Sequence, residues 1–366
     1  MKKILIYFPV LFIAAIIFSS CNPTIPEPDP FPSAEIEGCY VVNYGSFGKG
    51  GASISKYDYI DDKMTNFFYK SQNGGNELLS NIQYVYHYKD SVFMMGNTAD
   101  QIITVNPFFE QSLNGVTDKI EKPRYCVADG NFLYISCWGA NPDWSEMPDT
   151  YIAKYNIATR TVEEKIVLPG GPEGLEIANG KLYAALNYKD SVAVINLTSE
   201  AVSYIVTPAV TSYFVKDKSD NLYVTLLSTY SDPSTETGIG YINTSTDKLD
   251  ASYNLVGVSS GYGSMIQANA GFSKIYVVTS AYDANWNLTG AVNVFDVAGK
   301  KFDATPFVKD ISGISGIAVN PKNSDVYVFA SQSTTGVGLM KIYSQTGDFV
   351  KDIEVGASPN GALFLN

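Results

Sequence analysis

Histidine is almost missing from this chain. It occurs once among 366 residues, as His87, and cysteine occurs four times. No Cys/His spacing resembles a zinc site, and no Gly-x-Ser-x-Gly turn offers a serine nucleophile to that lone imidazole. His87 sits in Tyr84-Val85-Tyr86-His87-Tyr88, which reads as the end of a strand. Positive charge is also scarce. Twenty-five Lys and Arg stand against 37 Asp and Glu, for a formal charge of -12. That balance removes the basic footprint a nucleic acid would need and suits a soluble, acidic exterior. Long apolar runs are confined to the first residues.

That first run has a specific form. Lys2 and Lys3 precede an apolar stretch, Ile4 to Phe18, and then Phe18-Ser19-Ser20-Cys21. Basic, apolar and small-residue segments in that order read as a secretory signal over residues 1–20, with a lipobox that makes Cys21 the lipid-bearing residue. Lipid chains on Cys21 would suffice for membrane attachment. Residues 21–37 carry Pro23, Pro26, Pro28, Pro30 and Pro32, a density that favours an extended tether. Cys39, Cys126 and Cys137 remain. Cys126 and Cys137 flank an Asp129-Gly130-Asn131 turn, but the expected register does not place them opposite one another. Buried free thiols are therefore expected.

The body, residues 38–366, is a repeat. An apolar–aromatic pair recurs at Tyr40, Phe93, Tyr134, Tyr183, Tyr223, Tyr276 and Tyr327. A β-rich triplet follows each time, ending at Asp58, Asn106, Asn156, Asn196, Asn243, Asp296 and Ser344. Successive aromatics are 40 to 53 residues apart. A strand-only repeat of that length predicts a β-propeller, here all-β with seven blades. Gly174 to Thr207 shows one unit: strand a, the Asn179-Gly180 turn, strand b with Tyr183, strand c ending at Asn196, and strand d. The Asn, Asp or Ser that ends strand c is expected to bond the backbone of the next turn. The first blade lacks its own strand a. Ala362-Leu363-Phe364-Leu365 is expected to supply it and close the ring.

In such a meander the b–c loops and the d–a connections share one face. The interval from aromatic to polar end is 13 residues in blades two and four and 17 to 22 in the others, so chain is inserted on that face. Loops lengthened on one side mark the binding side. Their content is aromatic: Tyr44 and Phe47, then Trp138 and Trp144, Tyr188, Tyr230, and Tyr282 with Trp286. The d–a connections add Asn73, Arg124, Tyr125, Glu173, Tyr213, Tyr262 and Asn360. Aromatic surface with amide and hydroxyl partners suits a broad, amphipathic, neutral ligand, a sugar ring or a protein. Glu173, in Pro172-Glu173-Gly174, faces the central channel in this reading. No acid stands at the corresponding starts, Tyr125, Ser212, Met265 and Ile314, so a metal site is not expected, and Glu173 reads as a solvated loop charge or a ligand contact.

The repeat resembles the YncE-like seven-bladed propellers over most of residues 38–366. Blade four, from Gly180-Lys181-Leu182-Tyr183-Ala184 to Val194-Ile195-Asn196, carries that resemblance best. With the lipobox and tether, the layout is similar to cell-surface lipoproteins of Bacteroidota. Among these, the BtuG type captures cobalamin and passes it to a TonB-dependent outer-membrane transporter. The resemblance implies a non-catalytic binding lipoprotein on the outer membrane, facing the exterior. It would have cobalamin or a related corrinoid as transported ligand and no cofactor, nucleic acid or metal. A glycan-binding protein, a propeller lactonase and a protein-binding scaffold are the contrasting expectations.

Overall fold

The protein, seen in a computed structural model, is described at residues 36–140, 142–229, 234–255, 265–282, 285, 287–331 and 336–365. The expected signal segment, Cys21 and nearly all of the expected tether lie outside the described residues. Among those described, no helix is long and apolar enough to cross a membrane.

Seven antiparallel sheets follow one another along the chain. Blade four is the plain case: strand a is Pro172–Ala178, b is Lys181–Leu186, c is Ser191–Asn196 and d is Val202–Val206. Asn179 (φ 48) and Gly180 (φ 70) both take the left-handed conformation, as a two-residue hairpin between twisted strands requires. The inner strands a of successive blades touch one another all the way round, and the last returns to the first. The ring is therefore closed. The closing strand is Pro359–Leu365, which pairs with Gly38–Asn43 and makes blade one a mixture of the two chain ends.

Among the described residues there is no central core. Buried apolar side chains form seven layers, one at each junction between neighbouring blades. All seven repeat aromatics are buried in these layers. Each contributes about 1.5–3 kcal/mol by leaving water, so the repeat is a periodic stack of apolar joints.

The polar end of strand c behaves as its sequence suggests. At Asp58, Asn106, Asn156, Asn196, Asn243, Asp296 and Ser344 the side-chain oxygen accepts one or two backbone N–H bonds from the following turn, at 2.8–3.3 Å. Cys39, Cys126 and Cys137 are buried free thiols, with Cys126 opposite Ile135 and Cys137 opposite Pro123. Burial pushes the Cys137 thiol up to about 12, so it stays protonated.

Two blades depart from the plain form. Blade six gains length not in a loop but in its strands, Lys274–Tyr282 and Leu288–Asp296, which stay paired to their tips. Tyr282 is thus a strand end rather than a loop residue. Blade two has three strands, Ile82–Tyr88, Ser91–Gly96 and Gln101–Val105, and no fourth.

Removal of residues 357–366 is expected to leave the edge of Gly38–Asn43 unpaired and to lower the denaturant midpoint, with aggregation on refolding. An unchanged midpoint in guanidinium titration would show that closure does not rest on this strand.

Candidate functional site

The inner strands carry a shared irregularity. Register between strands a and b slips between Ile82 and Val85, Pro123 and Cys126, Pro172 and Leu175, Thr211 and Phe214, and Ile314 and Gly316. The closing strand slips at the same height, where Val42 faces Gly361 but Asn43 faces Pro359. These are β-bulges. An extra residue is left out of the ladder and its side chain is re-aimed. The residues so placed include Gln83, Arg124, Glu173, Tyr213, Ser315 and Asn360. Two bulges bond across to hydroxyls on strand b: Tyr125 N–H donates to Ser136 Oγ (3.1 Å) and Tyr213 N–H to Thr225 Oγ1 (3.0 Å).

The bulged residues join into a belt at the top of the channel. Arg124 donates through Nε and Nη2 to the two oxygens of Glu173, both at 2.8 Å, and through Nη1 to Gln83 Oε1 at 3.0 Å. Tyr213 donates its hydroxyl to Glu173 Oε1 (2.8 Å). Asn360 Nδ2 donates to the Gln83 carbonyl (3.0 Å), and Ser315 Oγ to the Pro359 carbonyl (2.6 Å). Glu173 is 1% exposed. It is a buried, fully engaged carboxylate, not the solvated loop charge its place in the sequence suggests. Burial works against the Arg124 charge, but Glu173 outweighs it and holds the guanidinium above its usual range. Burial, with Glu173 beside it, pushes the Tyr213 hydroxyl well above its ordinary value.

Above the belt lies a cavity of about 780 Å³. Trp138 forms its inner wall. It is 8% exposed, donates Nε1–H to the Pro172 carbonyl (3.0 Å), and lies under the Arg124 guanidinium at 4.0 Å. Trp144 and Tyr188 meet it edge-on at 5.7 and 5.8 Å. Tyr44 and Phe47 come from the b–c loop of blade one. Phe47 is 77% and Trp144 60% exposed, so both offer ring surface with no cover. The b–c loops of blades one and three, 44–52 and 138–150, reach this cavity, while those of blades two and four, 97–100 and 187–190, stay minimal.

The expected site residues divide accordingly. Tyr44, Phe47, Arg124, Trp138, Trp144, Glu173, Tyr188 and Tyr213 line one cavity. Arg124, Tyr125, Glu173, Tyr213 and Asn360 belong to inner strands rather than to d–a connections, because the bulge lets the strand begin earlier. Tyr125 faces the channel below, stacked on Tyr84 at 3.7 Å. Asn73 is absent from the cavity lining. Its amide donates to the Tyr69 and Phe109 carbonyls and accepts from Gln111 N–H, clasping the end of a short helix, Phe68–Gln72. Tyr282 is absent from the cavity lining. Tyr230, Tyr262 and Trp286 lie outside the described residues. His87 is exposed on the lower part of its inner strand, by the a–b turn.

Sequence reasoning missed Gln83, Asn97, Thr98, Lys122 and Asn187, which also line the cavity. One signal was available. Asn43, Asn97 and Asn187 recur where strand b ends in blades one, two and four, and all three are buried. Asn43 bonds Ser53 and Ser55 and is structural. The buried Oδ1 of Asn187 has no partner, as is true of Asn43 Oδ1, but Asn187 alone of the two lines the cavity, where a ligand N–H would remove that cost. Among the described residues no group of three His, Cys, Asp or Glu side chains is arranged to hold a metal.

The family model described as "Domain of unknown function (DUF5074)" matches residues 37–364, and the chain belongs to that family. No curated protein matches the sequence. Solved structures share the fold. A quinonprotein alcohol dehydrogenase-like protein of Bacteroides thetaiotaomicron superposes with TM-score 0.67 at 16% identity, over 90% of this chain and 78% of that one. The periplasmic gluconolactonase of Pseudomonas aeruginosa gives 0.66 at 12%, over 90% and 99%. A Bacteroides fragilis protein named after 6-phosphogluconolactonase gives 0.64 at 12%, over 92% and 100%. At these identities the likeness is one of fold.

Arg124→Met is expected to leave Glu173 buried and unpaired, at a cost of about 3–5 kcal/mol. Arg124→Met combined with Glu173→Leu should recover much of that loss. Thermal unfolding of the three proteins checks it, and equal midpoints for the single and double variants would contradict the pairing.

Proposed function

We propose that this member of the DUF5074 family is a non-catalytic capture protein whose aromatic cavity takes a broad, amphipathic, uncharged ligand. A corrinoid such as cobalamin is the preferred one. One observation carries the reading: exposed and half-exposed aromatic rings stand over a polar floor whose charges are already paired. A neutral ligand with an apolar face and an amide fringe matches both parts. The rings take the face, and the unpartnered Asn187 carbonyl takes an N–H. The lipobox at Cys21 and the Pro-rich tether support placement on the outer membrane, facing outward, with hand-over to a TonB-dependent transporter as the next step.

The lactonase reading, a contrasting expectation from the sequence, gains only the names of structural neighbours at 12% identity. Against it stands the state of Glu173, which accepts three side-chain hydrogen bonds and has little capacity left to act as a base or metal ligand. A glycan would use the same rings and floor and is the second reading. A protein partner would use the exposed rings of Phe47 and Trp144.

Calorimetry with cyanocobalamin on protein beginning at Asn22 tests the proposal. Binding is expected, and Phe47→Ala with Trp144→Ala should weaken it at least about tenfold, or 1.4 kcal/mol, without moving the thermal midpoint, because both side chains are exposed. Absence of heat would sink the corrinoid reading. Oligosaccharide binding that depends on the same two residues would replace it with the glycan one, and turnover of a sugar lactone would restore the enzyme.

A further inference from the structure

One wall of the aromatic cavity hangs on a residue that does not line it. Asn81 stands just before the inner strand of blade two, Ile82–Tyr88, and is fully buried. Its side chain is spent on the b–c loop of blade one. Nδ2 donates to the Tyr44 carbonyl (2.9 Å) and the Ser46 carbonyl (2.8 Å), and Oδ1 accepts from Gly50 N–H (3.3 Å). Its backbone holds the b–c loop of blade two. Asn81 N–H donates to Thr98 Oγ1 (2.7 Å), and its carbonyl accepts from Asn97 N–H (2.8 Å). Tyr44, Phe47, Gly48, Asn97 and Thr98 all line the cavity. Two loops from two blades are thus set against each other through one residue.

The loop of blade one needs that hold. Four of residues 44–51 are glycines, so few side chains fix its path and ordering it is costly. Gly45 (φ 90) and Gly50 (φ 76) are left-handed, and a Cβ at either would come within 2.7 Å of a backbone oxygen. The base of the loop is held by Tyr44 N–H on the Ser358 carbonyl (2.9 Å) and Gly45 N–H on the Ala357 carbonyl (3.1 Å). Beyond that base, Ser46 and Gly50 are tied to blade two through Asn81. Phe47 is exposed at the tip, so its ring does not hold the loop. Its place is set by hydrogen bonds, and an amide side chain supplies two donors and an acceptor at one point. A ring ordered beforehand spares the ligand that cost on binding.

We propose that Asn81 is the positioning residue of the aromatic cavity: it holds the Phe47 loop in place for ligand and in register with Asn97 and Thr98. This role rests on that cavity being the ligand site and holds whether or not the ligand is a corrinoid.

Asn81→Asp tests it, because the side chain keeps its size and can still accept from Gly50 N–H, but loses both donors to the carbonyls. Trypsin reads the loop without any ligand, since Lys49 is exposed near its tip. Cleavage after Lys49, identified by fragment mass at a temperature where both proteins are folded, is expected to be at least about tenfold faster in the variant. Cyanocobalamin reads the consequence. Affinity should fall about tenfold in Asn81→Asp, and Phe47→Ala, which weakens binding to the unsubstituted protein, should cost nothing further in that background. Additive losses would overturn the positioning role, as would equal cleavage rates. Cyanocobalamin silent on the unsubstituted protein would remove the corrinoid reading and leave cleavage at Lys49 to decide for or against Asn81. If Asn81→Asp does not fold, hydrogen exchange of the unsubstituted protein decides. The Gly50 amide should be protected although Lys49 beside it is exposed, and complete exchange there within seconds would overturn the proposal.

Discussion

Each blade of this protein is apolar on both faces of its sheet, and that constraint governs everything else. A two-faced apolar sheet needs a neighbour on each side, and an open row of such sheets would always leave two faces in water. Closing the row into a ring removes the problem. The seven apolar layers, the buried aromatic in each, and the terminal strand that completes blade one are all consequences. The ring also fixes function to its ends. Its sides are occupied by packing, so ligand-facing groups belong on loops or in the channel mouth.

How much was legible follows from the range of the interactions. The aromatic anchors and the polar ends of strand c act within a few residues, so they can be read directly, and the seven turns confirm it. The inserted loops of blades one and three were legible as well, because length is visible without structure. The belt was not. Arg124 lies 49 residues from Glu173 and Tyr213 lies 40 from it. Nothing local says that these three meet, and the bulges that aim them are set by pairing between strands. Glu173 between Pro172 and Gly174 therefore looks like a loop acid. Asn73 misled for the same reason in reverse, since its partners Phe109 and Gln111 are 36 and 38 residues on.

The paired floor has an effect beyond stability. A bidentate Arg–Glu pair with a Tyr hydroxyl on it presents dipoles rather than net charge. Discrimination at such a floor falls on hydrogen-bonding pattern and shape, and a charged ligand gains little there to offset its lost hydration. The Trp138 ring under the guanidinium adds to this, because it keeps Arg124 flat and turned toward Glu173.

The shared first blade orders events in time. Gly38 pairs with Leu365, so the first strand made waits for nearly the last. No ring exists until residues 359–365 have been synthesised, and closing it joins the most distant parts of the chain, a slow contact by its topology. Until then the exposed edge of the first strand is a liability that something must shield. The same arrangement gives the chain a built-in delay. Six blades can form in sequence, but the pocket framed between blades one and three takes its final shape only once residues 359–365 have paired with residues 38–43.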